Sequence, residues 1–283
     1  MAGYLAVLGA VSIWAFFNGI LVKGIKTSGV GVGTWTAIFG IVAFFISFVG
    51  KFEYDASIEP DYYPLIILAC LGISAALNNA CYYTALKISI PNAALFHYLA
   101  PLLVIFWALS FAMFRQPIPQ TAVIALFIGF IGVFWLVGPN FKEGNRKLVL
   151  LGLLSAFFYS LEIVLSGYVS NRLHIPSDVS AFTKLLFQAL VMPIVGLALG
   201  DSIWIKDSRE WPKIIAGGAL LYLSFVLYFA GAETVSDLHR GVLGYIDRIG
   251  AILLGCWFFR QAITKNILIG GILILGAGAL LLL

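Results

Sequence analysis

Ten apolar runs, each near the length that crosses a lipid bilayer and joined mostly by brief connections, leave this chain little freedom in what it can become. They fall at about 4–22, 34–50, 62–86, 91–113, 120–138, 148–170, 181–200, 212–232, 239–259 and 264–283. A hydrocarbon core about 30 Å thick takes roughly 20 helical residues. Lipid offers no partner for a backbone amide, so a chain crosses it as helices or as a closed barrel. Runs this long and apolar predict an all-α polytopic membrane protein with ten transmembrane helices. Charged residues make up 11% of the sequence, against about 25% in soluble domains, too few to wet a globular surface. No connection has room for a separate soluble domain, so function belongs to the helices. The first run begins close to residue 1 without a basic n-region or cleavage signature, and is read as part of the membrane core.

Several chemistries are disfavoured. Cys70, Cys81 and Cys256 lie in apolar runs without metal-ligand spacing and read as packing residues; no metal or cofactor is expected. The net charge of +4 is dispersed, unlike the concentrated basic face of a nucleic-acid binder. A G-x-S-x-G elbow and a P-loop are both missing from the sequence, which argues against an enzyme and against direct ATP-driven pumping.

Against this background the polar residues inside the runs carry the information, because an unmet amide in hydrocarbon costs several kcal/mol. The stretch from Leu77 to Pro101 holds Asn78, Asn79, Tyr82 and His97, and Pro101 in an apolar run is a candidate kink or hinge. Trp14 and Asn18 sit one turn apart on the first helix, as do Tyr159 and Glu162 on the sixth. A carboxylate at mid-span costs roughly 3 kcal/mol unless it faces an interior or binds a proton. Glu162 is thus a cation or proton site, or a member of a structural pair. The ninth run places Arg240, Gly244 and Asp247 along one side with Arg248 beside them. Arg240 is expected to snorkel to an interface; Asp247 and Arg248 fall near mid-span and point to substrate or gate work, with Gly244 a hinge candidate. Lys184 shares a face with Gln188 but can reach its helix end, and Tyr222 is a further candidate for lining a cavity. The proton-coupling candidates are Glu162, Asp247 and His97.

The halves echo each other: Gly9–Ala15 (GAVSIWA) resembles Gly152–Phe158 (GLLSAFF), and Phe114–Pro119 (FRQPIP) resembles Phe259–Thr264 (FRQAIT). Five runs separate corresponding points, so duplication implies two inverted five-helix repeats, 1–140 and 141–283. Loops after odd-numbered runs hold Lys23, Lys26, Lys87, Lys142, Arg146, Lys147, Lys206, Arg209, Arg260 and Lys265, and the opposite loops hold Lys51, Arg115 and Arg172. The positive-inside rule then puts both termini outside.

Trp14–Lys23 (WAFFNGILVK), Ala85–Pro101 (ALKISIPNAALFHYLAP), Trp107–Phe114 (WALSFAMF) and Ile269–Leu283 (IGGILILGAGALLLL) occur in an order and spacing that resembles the drug/metabolite transporter superfamily, in its ten-helix EamA-like branch. The resemblance spans almost the whole chain. It implies a secondary transporter in a prokaryotic cytoplasmic (inner) membrane, with cytoplasmic termini, opposite to the loop-charge count. That family usually carries Gly-Glu after the fourth helix of each repeat; here stand Phe114-Arg115-Gln116 and Phe259-Arg260-Gln261, so no role of that acid carries over. The expectation is an exporter of amino acids or related small polar metabolites working by alternating access, with the lipid bilayer and a small organic solute as partners, protons as a possible coupling ion, and a monomer sufficing. The substrate-binding candidates are Trp14, Asn18, Asn78, Tyr82, His97, Tyr159, Glu162, Tyr222, Asp247 and Arg248. An assembly protein with purely structural polar networks, and a channel, are the alternatives.

Overall fold

A computed structural model describes residues 1–22, 24–48, 62–88, 93, 96–97, 99–137, 146–258 and 265–280. Lys23, Lys51 with the rest of 49–61, Lys142, the second FRQ motif at 259–261 and the Cys256 side chain lie outside the described residues.

The described residues form ten α-helices: α1 (Ala2–Phe16), α2 (Gly29–Phe48), α3 (Tyr62–Ile88), α4 (Ala100–Ser110), α5 (Gln120–Val137), α6 (Arg146–Asn171), α7 (Ser177–Leu199), α8 (Trp211–Ala232), α9 (Asp237–Phe258) and α10 (Lys265–Leu280). A π-helical turn, Phe17–Val22, extends α1. Six of these, α1 with its extension, α2, α3, α6, α7 and α8, are long and apolar enough to cross a membrane; α4, α5 and α10 contain shorter apolar stretches. In α9 the charges gather on one face. Apolar residues surround most of the other helices, as expected where lipid lies on one side and protein on the other.

The burial pattern is that of a protein dissolved in lipid. Leu109, Ile194, Leu197 and Ile46 are largely exposed, while Glu162, Lys184, Arg240, Asp247 and Arg248 are buried. Water would reverse this distribution, because an exposed aliphatic side chain costs free energy there. In hydrocarbon the costly groups are the charges, and the helices enclose them.

Packing is pairwise and recurs with a shift of five helices. α3 lies on α6 and α7, and α8 lies on α1 and α2; α1 meets α9 where α6 meets α4; α2 packs on α7 and α5 on α10. Small residues let the backbones approach, as read from Gly129 and Gly132. A Cβ on Gly129 would meet the Tyr245 ring at 2.1 Å, and one on Gly132 would meet Leu273 at 2.8 Å. Since Tyr245 is itself buried, Gly129→Ala is expected to lower stability by about 1–3 kcal/mol, measurable by thermal unfolding in detergent.

One helix differs from expectation. The fourth run was expected as one helix over 91–113 with Pro101 inside it. Instead Pro101 stands in the first turn of α4, after a turn at Leu99, where its missing N–H removes no helical hydrogen bond. The proline thus begins a helix. The proline inside a helix is Pro193, in α7, which ends in left-handed backbone at Gly200, φ 72°, a conformation that glycine adopts without a Cβ penalty.

Candidate functional site

Helical spacing delivers the polar residues to one place. Trp14 of α1 and Asn18 of the π turn share a wall; a π turn widens the helix by a residue and recurs at functional positions. Asn78, Asn79, Tyr82 and Tyr83 come from α3, Tyr159 and Glu162 from α6, Lys184 from α7, Leu221 and Phe225 from α8, and Asp247 and Arg248 from α9. With His97, which precedes α4, they line a central cavity of about 30 Å³. A typical small-molecule pocket exceeds about 300 Å³, so in this conformation side chains fill most of the site themselves.

One polar chain runs across it. Glu162 pairs with the Lys184 ammonium through Oε1, and its Oε2 accepts from Asn78 Nδ2 at 3.1 Å. Asn78 Oδ1 accepts from Ser155 Oγ at 2.9 Å, and Ser155 Oγ lies 2.7 Å from His97 Nδ1. The direction of the chain is fixed at one end, since an ionised carboxylate only accepts. Asn78 must turn its NH₂ to Glu162 and its oxygen to Ser155, whose proton is thereby used. His97 therefore donates from Nδ1, and a neutral ring keeps its lone pair on Nε2.

Aromatic rings frame the charges. The Lys184 ammonium sits 3.7 Å from the centre of the Phe225 ring and 5.6 Å from that of Trp14, within the range of cation–π attraction. His97 lies 4.4 Å from both Tyr82 and Tyr159, ring centre to ring centre, and the Arg248 guanidinium covers Tyr82 at 4.2 Å. Arg248 Nη1 approaches Asp247 Oδ1 at 3.0 Å. Trp14 Nε1 donates to Ser224 Oγ at 2.8 Å, and Asn79 donates to Gln188 at 2.8 Å.

A second buried cluster lies nearer the Asp237 end of α9. Arg240 is fully buried, contrary to the snorkelling expectation. It donates to Ser166 Oγ at 2.7 Å and to the Ile163 carbonyl at 3.0 Å, and pairs with Asp237. Gln116 of the first FRQ motif grips Asp237 twice: its Oε1 accepts from the backbone N–H at 3.0 Å, and its Nε2 donates to the carboxylate at 3.2 Å. Asp237 also lines a groove of about 250 Å³ with Gln116, Arg115 and Arg172. Along α9, Arg240 stands between this groove and the cavity.

Nine of the ten substrate-binding candidates converge on the cavity. Tyr222 lies apart: α8 turns Leu221 and Phe225 inward, while Tyr222 places its hydroxyl 3.0 Å from Ser47 and its ring edge-on to Phe44, in a separate groove with Asp178 and Glu233. Tyr222→Phe is accordingly expected to change stability by no more than about 0.5 kcal/mol and to leave transport unchanged, checked in one unfolding and one flux assay. Gly244 packs against Tyr159, whose hydroxyl would lie 3.2 Å from an added Cβ. Lys184, Asn79, Tyr83 and Phe225 join the cavity without having been chosen as site residues. The signal for Lys184 was its shared face with Gln188, which is also buried.

A helical bundle with apolar residues outside and a charged cavity within is that of a polytopic membrane protein, and it is similar to known transporters. Residues 146–283 match the EamA-like transporter family. The chain is 28% identical over 214 residues, 75% of its own length and 74% of the relative's, to an uncharacterized transporter of Archaeoglobus fulgidus. It is 23% identical to Protein PecM of Dickeya dadantii, over 75% of this chain and 71% of that protein. A protein crystal structure shares the fold, with TM-score 0.78 and 19% identity over 100% of this chain and 99% of the other. Residues 146–283 are thus similar to the EamA-like transporter family, in line with the resemblance to the drug/metabolite transporter superfamily read from the sequence.

Proposed function

We propose that the chain exports amino acids or related small polar metabolites across a prokaryotic cytoplasmic membrane by alternating access, with the central cavity as binding site. The observation carrying this reading is a cavity holding both a carboxylate–ammonium and a carboxylate–guanidinium pair among aromatic walls. Such a site can release one of its internal pairs to the opposite charges of a zwitterion while rings cover the apolar part.

Two five-helix units, 1–140 and 141–283, related by inversion would supply the two access states. The helix pairings that recur with a shift of five support this, and an odd number of crossings between equivalent helices requires opposite orientations. The Arg240–Asp237–Gln116 cluster is the closed gate on the side of the 250 Å³ groove. Pro101, at the start of α4, and Gly244, where α9 touches Tyr159, remain the proposed bending points. If the cycle is coupled to protons, Asp247 is the better carrier than Glu162, because both Glu162 oxygens are tightly engaged, whereas Asp247 is met more loosely by Arg248 at 3.0 Å and by Asn18.

The test is uptake into sealed proteoliposomes from a pooled amino-acid and metabolite mixture, read by mass spectrometry with and without a pH gradient. Saturable movement of a polar metabolite, reduced at least about ten-fold in Asp247→Asn, is expected. Rapid passive ion conductance without saturable solute flux would indicate a channel. No flux at all from a folded, inserted protein would favour an assembly role.

A further inference from the structure

The two buried carboxylates of the cavity are in opposite states. Glu162 is saturated: Lys184 holds one oxygen and Asn78 the other. Lys184 is a tethered alkylammonium, seated against Phe225 and Trp14 as a free amine would sit. Asp247 is held more loosely, by its neighbour Arg248 on the same helix. Its side chain is fully buried; Arg248 Nη1 lies 3.0 Å from Oδ1, out of line for a hydrogen bond, and the Asn18 side-chain amide is a further polar neighbour.

Two other acceptors facing the same cavity lack a partner. Asn18 Oδ1 and His97 Nε2 are buried without hydrogen-bond partners. The direction of the Glu162–Asn78–Ser155–His97 chain makes Nε2 a lone pair on a neutral ring. A buried acceptor left unmet costs about 1–3 kcal/mol, and two of them beside a loosely held carboxylate describe a ligand rich in donors. The complementary group carries a positive charge and several N–H bonds, and a primary ammonium, with three, matches a carboxylate, an amide oxygen and an imidazole nitrogen.

We propose that Asp247, Asn18 and His97 form the subsite for the protonated amine of the substrate, while Lys184 permanently answers Glu162. This rests on the transport reading and narrows its substrates to primary amines, amino acids included. Glu162 then sets the field and position of Asn78 and is not itself the amine receptor.

Binding to purified protein in nanodiscs tests this without flux. The probes are phenethylamine and two isosteres lacking the cation, 2-phenylethanol and phenylacetate, read by Trp fluorescence and by the shift in unfolding temperature, in sodium and in potassium buffers. Phenethylamine alone is expected to bind. Asp247→Asn, isosteric with the native side chain, is expected to weaken it about ten-fold or more, and Asn18→Leu about five-fold. The double variant Glu162→Gln/Lys184→Met is expected to keep the preference for the amine over its isosteres. Loss of that preference in the double variant with retention in Asp247→Asn would make Glu162 the receptor and overturn the assignment. So would equal binding of all three probes, binding of none, or displacement of the amine by sodium but not potassium. Amine binding without flux of any amine in proteoliposomes would instead count against the transport reading alone.

Discussion

Glu162→Gln is expected to destabilise the protein by about 3–5 kcal/mol, and Glu162→Gln/Lys184→Met by much less. The single substitution leaves the Lys184 ammonium buried at 2% exposure with no counter-charge, and an uncompensated buried ion is the costly outcome of breaking such a pair. The faces of Phe225 and Trp14 recover only about 0.5–2 kcal/mol of this. Removing both charges abolishes the desolvation cost together with the attraction, and Met fills the volume of the lysine stem. Reversible unfolding in mixed SDS and mild detergent measures both variants. Equal losses in the two would show that packing at this site outweighs charge. Lys184→Met alone is expected to fall between them, because Glu162 retains Asn78.

Arg240→Met is the second large effect, also about 3–5 kcal/mol. Arg240 spreads its guanidinium over Asp237, Ser166 Oγ and the Ile163 carbonyl and lies 4.9 Å from the centre of the Tyr228 ring. Without it, the Asp237 carboxylate keeps only Gln116 as side-chain donor among the described contacts. Arg240→Lys restores charge but not the planar fork, which reaches several acceptors at once, and is expected to recover less than half of the loss. Gln116→Ala is expected to cost about 1 kcal/mol. A double-mutant cycle of Arg240→Met with Asp237→Asn, followed by the same unfolding assay, separates the coupling from the single losses; additivity within about 0.5 kcal/mol would remove this cluster as a unit.

Residues on one helix were legible because their relation is local. Trp14 with Asn18, Asn78 with Tyr82, and Tyr159 with Glu162 are each one turn apart, and each pair reaches the cavity. What spacing could not supply was the partner across helices. Arg240 and Lys184 look in sequence like residues able to snorkel, since long basic side chains at span ends often do. Only the approach of Asp237 to one and Glu162 to the other reveals them as buried. Tyr222 lies outside the central cavity for the reverse reason: a hydroxyl in an apolar run signals a polar neighbour, but not which face of α8 meets it, and the neighbour is Ser47. Lys87, counted among the loop charges, donates to the Ile25 carbonyl at 2.8 Å. A charge spent on tying a loop has a structural reason for its position, which weakens loop charge as a guide to orientation.

With both pairs ionised and His97 neutral, the charges lining the cavity sum to zero: Glu162 with Lys184, and Asp247 with Arg248. A membrane voltage acts on net charge moved through it, at about 2.3 kcal/mol per elementary charge per 100 mV. The unloaded cavity offers that field nothing to pull on when it changes the side it faces. Voltage thus acts on the cargo alone, leaving a zwitterion electrically silent and making a simple monoamine one charge of current per turnover.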